Sequence, residues 1–294
     1  MVGGATCSGK TALAVELAEH FGAEVISADS RQVYRGMPIG TAMPSEDERR
    51  RARHHLIDFL DPLERYSAAR FVSDALRVIA ELRAAGKRAI VAGGTGFYIR
   101  ALCGDVQLSD AYDEELRTRL AHEARLHPPE VLHAWLAARD AARAARVAPG
   151  DRYRVVRALE VALALGHESE STHDSLRSAG IPFVKLVLEV DPATLEARIA
   201  TRADAMLRAG FVEEAERIGA AAVAADAVGY QHALAYAAGR ATFEELREAV
   251  VRATRRYAKR QRTWFRREPG TLRVEHTSAR SVAAREAREM LGWE

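Results

Sequence analysis

The chain has 294 residues, 48% apolar and 29% charged, with a formal net charge of +2; this length holds one large domain, or one domain with an insertion, around a real core. Its only cysteines, Cys7 and Cys103, form no CxxC pair, which argues against a disulfide framework or zinc module and fits a reducing cytoplasm. No stretch approaches ~18 uninterrupted apolar residues, and the first residues lack the basic-then-apolar order of a signal peptide, so a soluble, cytoplasmic chain without a membrane partner is expected.

Val2 to Thr11 reads as strand, glycine loop and helix start, and Leu13, Leu17 and Phe21 continue that helix at helical spacing. A phosphate loop normally follows a strand of about five residues, yet only Met1 and Val2 precede Gly3. Glu24 to Ala28 is a second short strand that runs into Asp29, and Arg49 to His54 reads as a charged helix end. Phe71 to Ala85 is an amphipathic helix stopped at Gly86, and Arg88 to Ala92 is a buried-type strand leading into Gly93-Gly94-Thr95-Gly96. From about Tyr112 to Leu165 strand signals vanish and the chain becomes helical, rich in Ala, Arg and Glu. Phe183 to Val190 restores the strand pattern, Thr194 to Ala209 and Phe243 to Arg267 are helices, and Leu272 to His276 is a last strand. The alternation predicts an α/β fold, a parallel sheet flanked by helices. It is split by a helical insertion: 1–111 and 180–294 form the core, and 112–179 the insertion.

Gly4-Ala5-Thr6-Cys7-Ser8-Gly9-Lys10-Thr11 satisfies GxxxxGK[ST] in full, directly before a helix. Its backbone amides should wrap a phosphate at the positive end of the helix dipole, with Lys10 on the terminal phosphate oxygens and the Thr11 hydroxyl on Mg2+. The same cradle accepts ATP, GTP or any diphosphate ester, so the loop alone leaves the reaction open. An ATPase or GTPase usually adds an apolar strand ending in Asp; here the corresponding strand ends in glycines. Asp29, after a strand and beside the loop, stands where ligands bind in open α/β sheets. A helix cap, a magnesium ligand and a catalytic base all fit it.

The block Asp29-Ser30-Arg31-Gln32-Val33-Tyr34-Arg35-Gly36-Met37-Pro38-Ile39-Gly40-Thr41-Ala42 narrows the field. It resembles the signature of the tRNA dimethylallyltransferases (tRNA isopentenyltransferases, the IPP transferase family). The phosphate loop, His54 to Asp58, Gly93 to Tyr98, Arg157 to Val161, Arg202 to Gly210, Val228-Gly229-Tyr230, and Thr254 to Gln261 with Trp264 to Arg266 resemble further blocks in the family's order. The resemblance spans nearly the whole chain. Met43, Tyr153 and His232 depart from it, standing where the family commonly has Lys, Gln and Glu.

The resemblance implies a P-loop NTPase-like core that moves a dimethylallyl group from dimethylallyl diphosphate to the N6 amine of the adenosine 3′ of the anticodon. It implies Asp29 as general base, assisted by Lys10 and by Thr95 near the reacting nucleotide. Gly4 to Thr11 and Arg202 would hold the diphosphate. Asp29, Ser30, Arg31, Gln32, Thr95, Arg117, Arg154, Arg157, Gly229, Tyr230, Lys259, Arg260, Gln261 and Arg266 would meet the tRNA anticodon loop, its target adenosine extruded from the stack. From composition alone the basic segment Arg252 to Arg267 fits a solvated helix face as well as an RNA surface. His54 and His55 read as structural, because neighbours in a helix cannot share one face. A monomer is expected.

Overall fold

The computed structural model describes residues 1–106, 108, 114–165 and 174–294. They separate into two compact units, Met1–Val106 with Asp174–Glu294, and Gln107–His173.

The first unit is built on β1 (Val2–Gly4), β2 (Ala23–Ser27), β3 (His54–His55), β4 (Arg88–Gly93), β5 (Lys185–Glu189) and β6 (Thr271–Glu275), in the order β3-β2-β4-β1-β5-β6. Every neighbouring pair is parallel. The central strands read as continuous apolar runs because helices cover both faces. One face carries α1 (Lys10–Phe21) and α13 (Ala279–Leu291): Leu13, Leu17 and Phe21 share a core with Val25, Ile90, Leu186, Ala283 and Ala287. On the other face lie α3 (Ala68–Ala84), α4 (Gly96–Cys103) and the end of α12 (Phe243–Arg266). The Phe265 ring lies so close to Gly3 that a Cβ there would stand 2.6 Å from it.

A second core lies beyond the C-terminal ends of the strands. There α9 (Pro192–Arg208), α10 (Phe211–Ile218), α11 (Tyr230–Ala237) and α12 bury Ile199, Phe211, Tyr230, Leu246 and Val250 against Val33, Tyr34, Met37 and Leu60. The Asp29-to-Ala42 block is thereby packed against these helices through Val33, Tyr34 and Met37. Chain order reverses at β1, since β2 and β4 lie to one side of it and β5 and β6 to the other. That is the switch point at which a crevice opens past the strand ends.

The helical unit consists of α5 (Glu114–Leu126), α6 (Pro129–Arg139), α7 (Ala141–Ala144) and α8 (Arg152–Leu165). Leu120, Leu132, Leu136, Val155 and Leu159 form its own core. The expected start of the insertion at 112 lies outside the described residues. Asp174–Ala179, expected within it, belongs to the sheet unit: Leu176 is buried and its N–H donates to Leu102 O at 2.9 Å.

His54 lies in a strand, where a helix end was expected. The helix α2 (Glu46–Arg51) opens on a Ser45/Glu48 capping box, and beyond its end His54-His55 pairs with Val25 and Ile26 of β2. Two polar residues carry no strand signature, and the pairing comes from the exposed edge of β2. His55 Nε2 bonds Glu24 Oε2 at 2.6 Å and His54 Nδ1 contacts Ala52 O at 2.8 Å, so both side chains are held locally.

Candidate active site

The loop from β1 to α1 turns through positive φ at Gly4 (152°), Cys7 (63°) and Gly9 (93°). Gly9 precedes α1 without any side-chain cap, so the first amides of the helix are left for an anion. Lys10 Nζ donates to Ala5 O at 3.0 Å. Burial pulls the Lys10 pKa down to about 8; the Asp29 carboxylate partly offsets this, and Arg202 adds to it. Ser8 is 1% exposed, and its hydroxyl has no hydrogen-bond partner. A half-buried cation beside an unpartnered hydroxyl and uncapped amides is a cradle whose polar groups await anionic oxygens.

Two arginines reach the same loop from α9. Arg202 Nη1 donates to Thr6 Oγ1 at 3.3 Å, and Arg198 Nη1 to Cys7 O at 3.5 Å. They are four residues apart and so share one helix face. Arg198 was not singled out in the sequence, although that spacing from Arg202 was visible.

The tips of β2 and β4 meet the cradle. A Cβ at Gly93 would stand 2.1 Å from Ala28 O, so only glycine permits this approach. Thr95 N–H donates to Ala28 O at 3.1 Å, and Thr95 Oγ1 accepts from Ser30 N–H at 3.0 Å. Asp29 is thus held between two tied residues. Its Oδ1 accepts from Arg31 N–H at 2.9 Å, while Oδ2 has no hydrogen-bond partner among the described residues. The carboxylate is half-buried, and close enough to Lys10 to act on its charge. Tyr257 feels Asp29 as well: burial raises the phenol pKa and the carboxylate adds to the rise. The structure therefore brings Lys10, Asp29, Thr95 and Arg202 to one end of the sheet.

Several residues expected to meet RNA do internal work instead. Gln261 is buried; its Oε1 accepts from Thr6 N–H at 2.8 Å and its Nε2 donates to Gly94 O at 2.8 Å. It braces the phosphate loop against the tip of β4 and has no exposed face for a base. Tyr230 is fully buried, its hydroxyl donating to Glu214 Oε1 at 2.7 Å, and Gly229 is buried beside it at φ 95°. Glu214, unforeseen in the sequence, also accepts from Ile39 N–H at 2.9 Å and Gly40 N–H at 2.7 Å. It fixes the end of the Asp29-to-Ala42 block. Gln32 is likewise engaged, accepting from Ser27 Oγ at 2.9 Å and donating to Ala42 O at 3.1 Å.

Arg31 faces outward and pairs with Asp226 at 2.8 Å. Lys259, Arg260 and Arg266 are exposed on α12, with Arg260 stacked over Tyr257 at 5.7 Å. In the helical unit Arg154 is exposed beside Asp151, and Arg117 and Arg157 hold the buried Glu160 at 3.4 and 2.6 Å while remaining about one-third exposed.

The chain is similar in sequence and in fold to known proteins. The model of the family described as IPP transferase matches residues 32–268. The chain belongs to the IPP transferase family. A Geobacter sulfurreducens protein named tRNA dimethylallyltransferase is 44% identical over 283 residues, covering 94% of this chain and 91% of that one. One of the same name from Anaeromyxobacter dehalogenans is 45% identical over 278 residues, covering 92% and 93%. The crystal structure of the full-length tRNA isopentenylpyrophosphate transferase from Bacillus halodurans superposes with a TM-score of 0.71 at 33% identity, covering 99% and 97%. A eukaryotic dimethylallyltransferase acting on tRNA shares the fold, with a TM-score of 0.78 at 24% identity, covering 99% of this chain and 77% of that one.

For an IPP transferase, the three departures lie apart from the cradle's bonded network. Met43 N–H closes a turn onto Pro38 O, His232 N–H one onto Gly229 O, and the Tyr153 side chain is exposed.

Proposed function

We propose that this IPP transferase moves a dimethylallyl group from dimethylallyl diphosphate to the N6 amine of the adenosine 3′ of the anticodon in tRNA, releasing diphosphate. The observation that carries the reading is the half-buried Asp29 carboxylate, with one oxygen unpaired, held beside a half-buried lysine in an uncapped phosphate loop. Family membership supports it.

The adenine amine is a weak nucleophile because its lone pair is delocalised into the ring. As N6 bonds to the allylic C1, the C1–O bond breaks, its electron pair leaves with the diphosphate, and the surplus proton passes from N6 to Asp29 Oδ2. Lys10, Arg202 and the loop amides stabilise the charge gathering on the leaving group. Thr95, tied to Ser30, positions the segment carrying the base. Tyr257 and the exposed Arg260 beside it offer a stacking and phosphate-binding edge for an extruded nucleotide.

Mg2+ fits these residues. Among the described residues no cluster of three or more His, Cys, Asp or Glu stands ready to cage a metal, and magnesium is commonly held by few protein ligands plus substrate phosphates. Thr11, half-buried in the first turn of α1, would hold it together with diphosphate oxygens, and the ion would supply further charge neutralisation.

The test is chemical. Purified protein should consume dimethylallyl diphosphate only when tRNA bearing the adenosine is present, with a five-carbon increment on that nucleoside by mass spectrometry. Rapid phosphate release from ATP without tRNA would contradict the reading.

A further inference from the structure

Glu214 is 0% exposed in the first turn of α10, and three donors point at its carboxylate. Its Oε2 accepts from Ile39 N–H at 2.9 Å, and its Oε1 from Gly40 N–H and from the Tyr230 hydroxyl, each at 2.7 Å. Two successive amides on the two oxygens of one group form a fork that suits an ionised carboxylate. An amide side chain would turn its NH2 onto one of them, and a protonated acid its O–H. Burial raises the pKa of the Tyr230 phenol and the carboxylate adds to the rise, so the phenol stays a donor. Gly40 lies directly on this group: a Cβ there would stand 2.4 Å from the Tyr230 hydroxyl and 2.5 Å from the Phe211 ring.

From that turn a chain of bonds leads to the reacting carboxylate. Thr41 and Ala42, next after Gly40, present their carbonyls to Gln32 Nε2 at 3.4 and 3.1 Å. Gln32 Oε1 accepts from Ser27 Oγ at 2.9 Å, at the end of β2. That bond closes the loop from Ser27 to Gln32 around Asp29. Within the loop Asp29 Oδ1 takes Arg31 N–H and Thr95 Oγ1 takes Ser30 N–H. Gln32 thus fixes where the loop ends, and it takes its own place from a turn anchored on Glu214.

We propose that Glu214 is a positioning residue for the transfer step, setting the place of the Asp29 carboxylate through the Ile39-to-Ala42 turn and Gln32. The proposal rests on Asp29 as the base that takes the N6 proton. A buried carboxylate is a poor way to fill space, because it gives up its hydration and its hydrogen bonds only offset that loss. What it adds is direction, in charge-assisted bonds that hold two successive amides. Direction matters to a base: a displacement of about 1 Å from the attacking amine slows transfer about a hundredfold.

The experiment measures single-turnover transfer to saturating tRNA, the KM for dimethylallyl diphosphate and urea unfolding. It compares the parent, Glu214→Gln, Tyr230→Phe, Gln32→Met, and the double variants that join each of the first two substitutions to Gln32→Met. Transfer by the parent and its loss in Asp29→Asn establish the underlying reading separately. Glu214→Gln should slow transfer by about ten- to a hundredfold, with the donor KM within about threefold of the parent. Tyr230→Phe withdraws one of the three donors and should slow transfer about threefold. Since both act through Gln32, joining either to Gln32→Met should slow that variant by less than about twofold further. A parental transfer rate in folded Glu214→Gln, or in Tyr230→Phe where Glu214→Gln does not fold, would overturn the proposal. Losses that multiply in full with that of Gln32→Met would overturn it as well.

Discussion

Arg198 touches the phosphate loop as Arg202 does, yet it donates to the carbonyl of Cys7 where Arg202 meets a hydroxyl. A guanidinium so placed holds the loop in shape and adds positive charge to the cradle. Arg198→Ala and Arg202→Ala should each raise the KM for dimethylallyl diphosphate by roughly ten- to a hundredfold, the weight of one charge-assisted hydrogen bond, with the KM for tRNA little changed. Steady-state kinetics with each substrate varied in turn checks this, and an Arg198 effect confined to tRNA would contradict it. At this scale the cradle was legible in the sequence because GxxxxGK[ST] encodes its geometry locally. Gln261, Tyr230 and Glu214 were not, because a buried hydrogen bond depends on a partner far away in the chain. Gln261 is 255 residues from Thr6, and nothing in a basic helix distinguishes an inward amide from an outward one.

Among the elements, α12 joins the phosphate loop to the tip of β4 through a single side chain. Gln261→Ala leaves the Thr6 N–H and the Gly94 carbonyl without partners. This should cost on the order of 3 kcal/mol in unfolding free energy and lower kcat together with stability, because the loop loses its brace. Gln261→Glu keeps the acceptor for Thr6 but turns a buried carboxylate oxygen onto the Gly94 carbonyl, so it too should be less stable than the parent. Urea unfolding curves of the three proteins check the order. Long periodic elements were legible: α3, α9 and α12 stand where the apolar spacing put them. β3 was not, since His54-His55 is a strand only by virtue of the edge it joins. α4 begins at Gly96, whose missing side chain leaves room for Trp264, and that glycine hid a helix start behind a loop signature.

For the molecule as a whole, stability across pH should register one buried ionic cluster on the β5–β6 side. Lys185 Nζ contacts Asp105 Oδ2 at 2.8 Å and Glu268 Oε1 at 3.1 Å, and Arg177 pairs with Asp105 at 2.7 Å. Burial opposes ionisation of Asp105, but the hydrogen bonds from Lys185 and Arg177 outweigh it and hold its pKa below the usual value. Burial likewise pulls Lys185 down, and its carboxylate partners outweigh it and raise its pKa. An acid with a lowered folded pKa stabilises above its unfolded value of ~3.9 and loses that contribution as pH falls through the folded value. A lysine with a raised one stabilises below ~10.4 and loses its contribution as pH rises through the folded value. The pair's contribution should therefore be level across neutral pH and decline at both extremes. Asp105→Asn should lower that plateau and weaken the acid decline, as read by urea midpoints against pH; an acid limb identical to that of the parent would contradict the assignment.

The central claim is that Asp29 takes the proton from the attacking amine while the cradle holds the departing diphosphate. Asp29→Asn keeps the size of the side chain and the acceptor for Arg31 N–H and removes the base. Single-turnover transfer from dimethylallyl diphosphate to tRNA, measured beside tRNA affinity, tests this most directly. The account predicts a rate loss of about a hundredfold or more with tRNA affinity within about threefold of the parent. A variant that transfers at the parental rate, or one whose affinity falls as far as its rate, would contradict it.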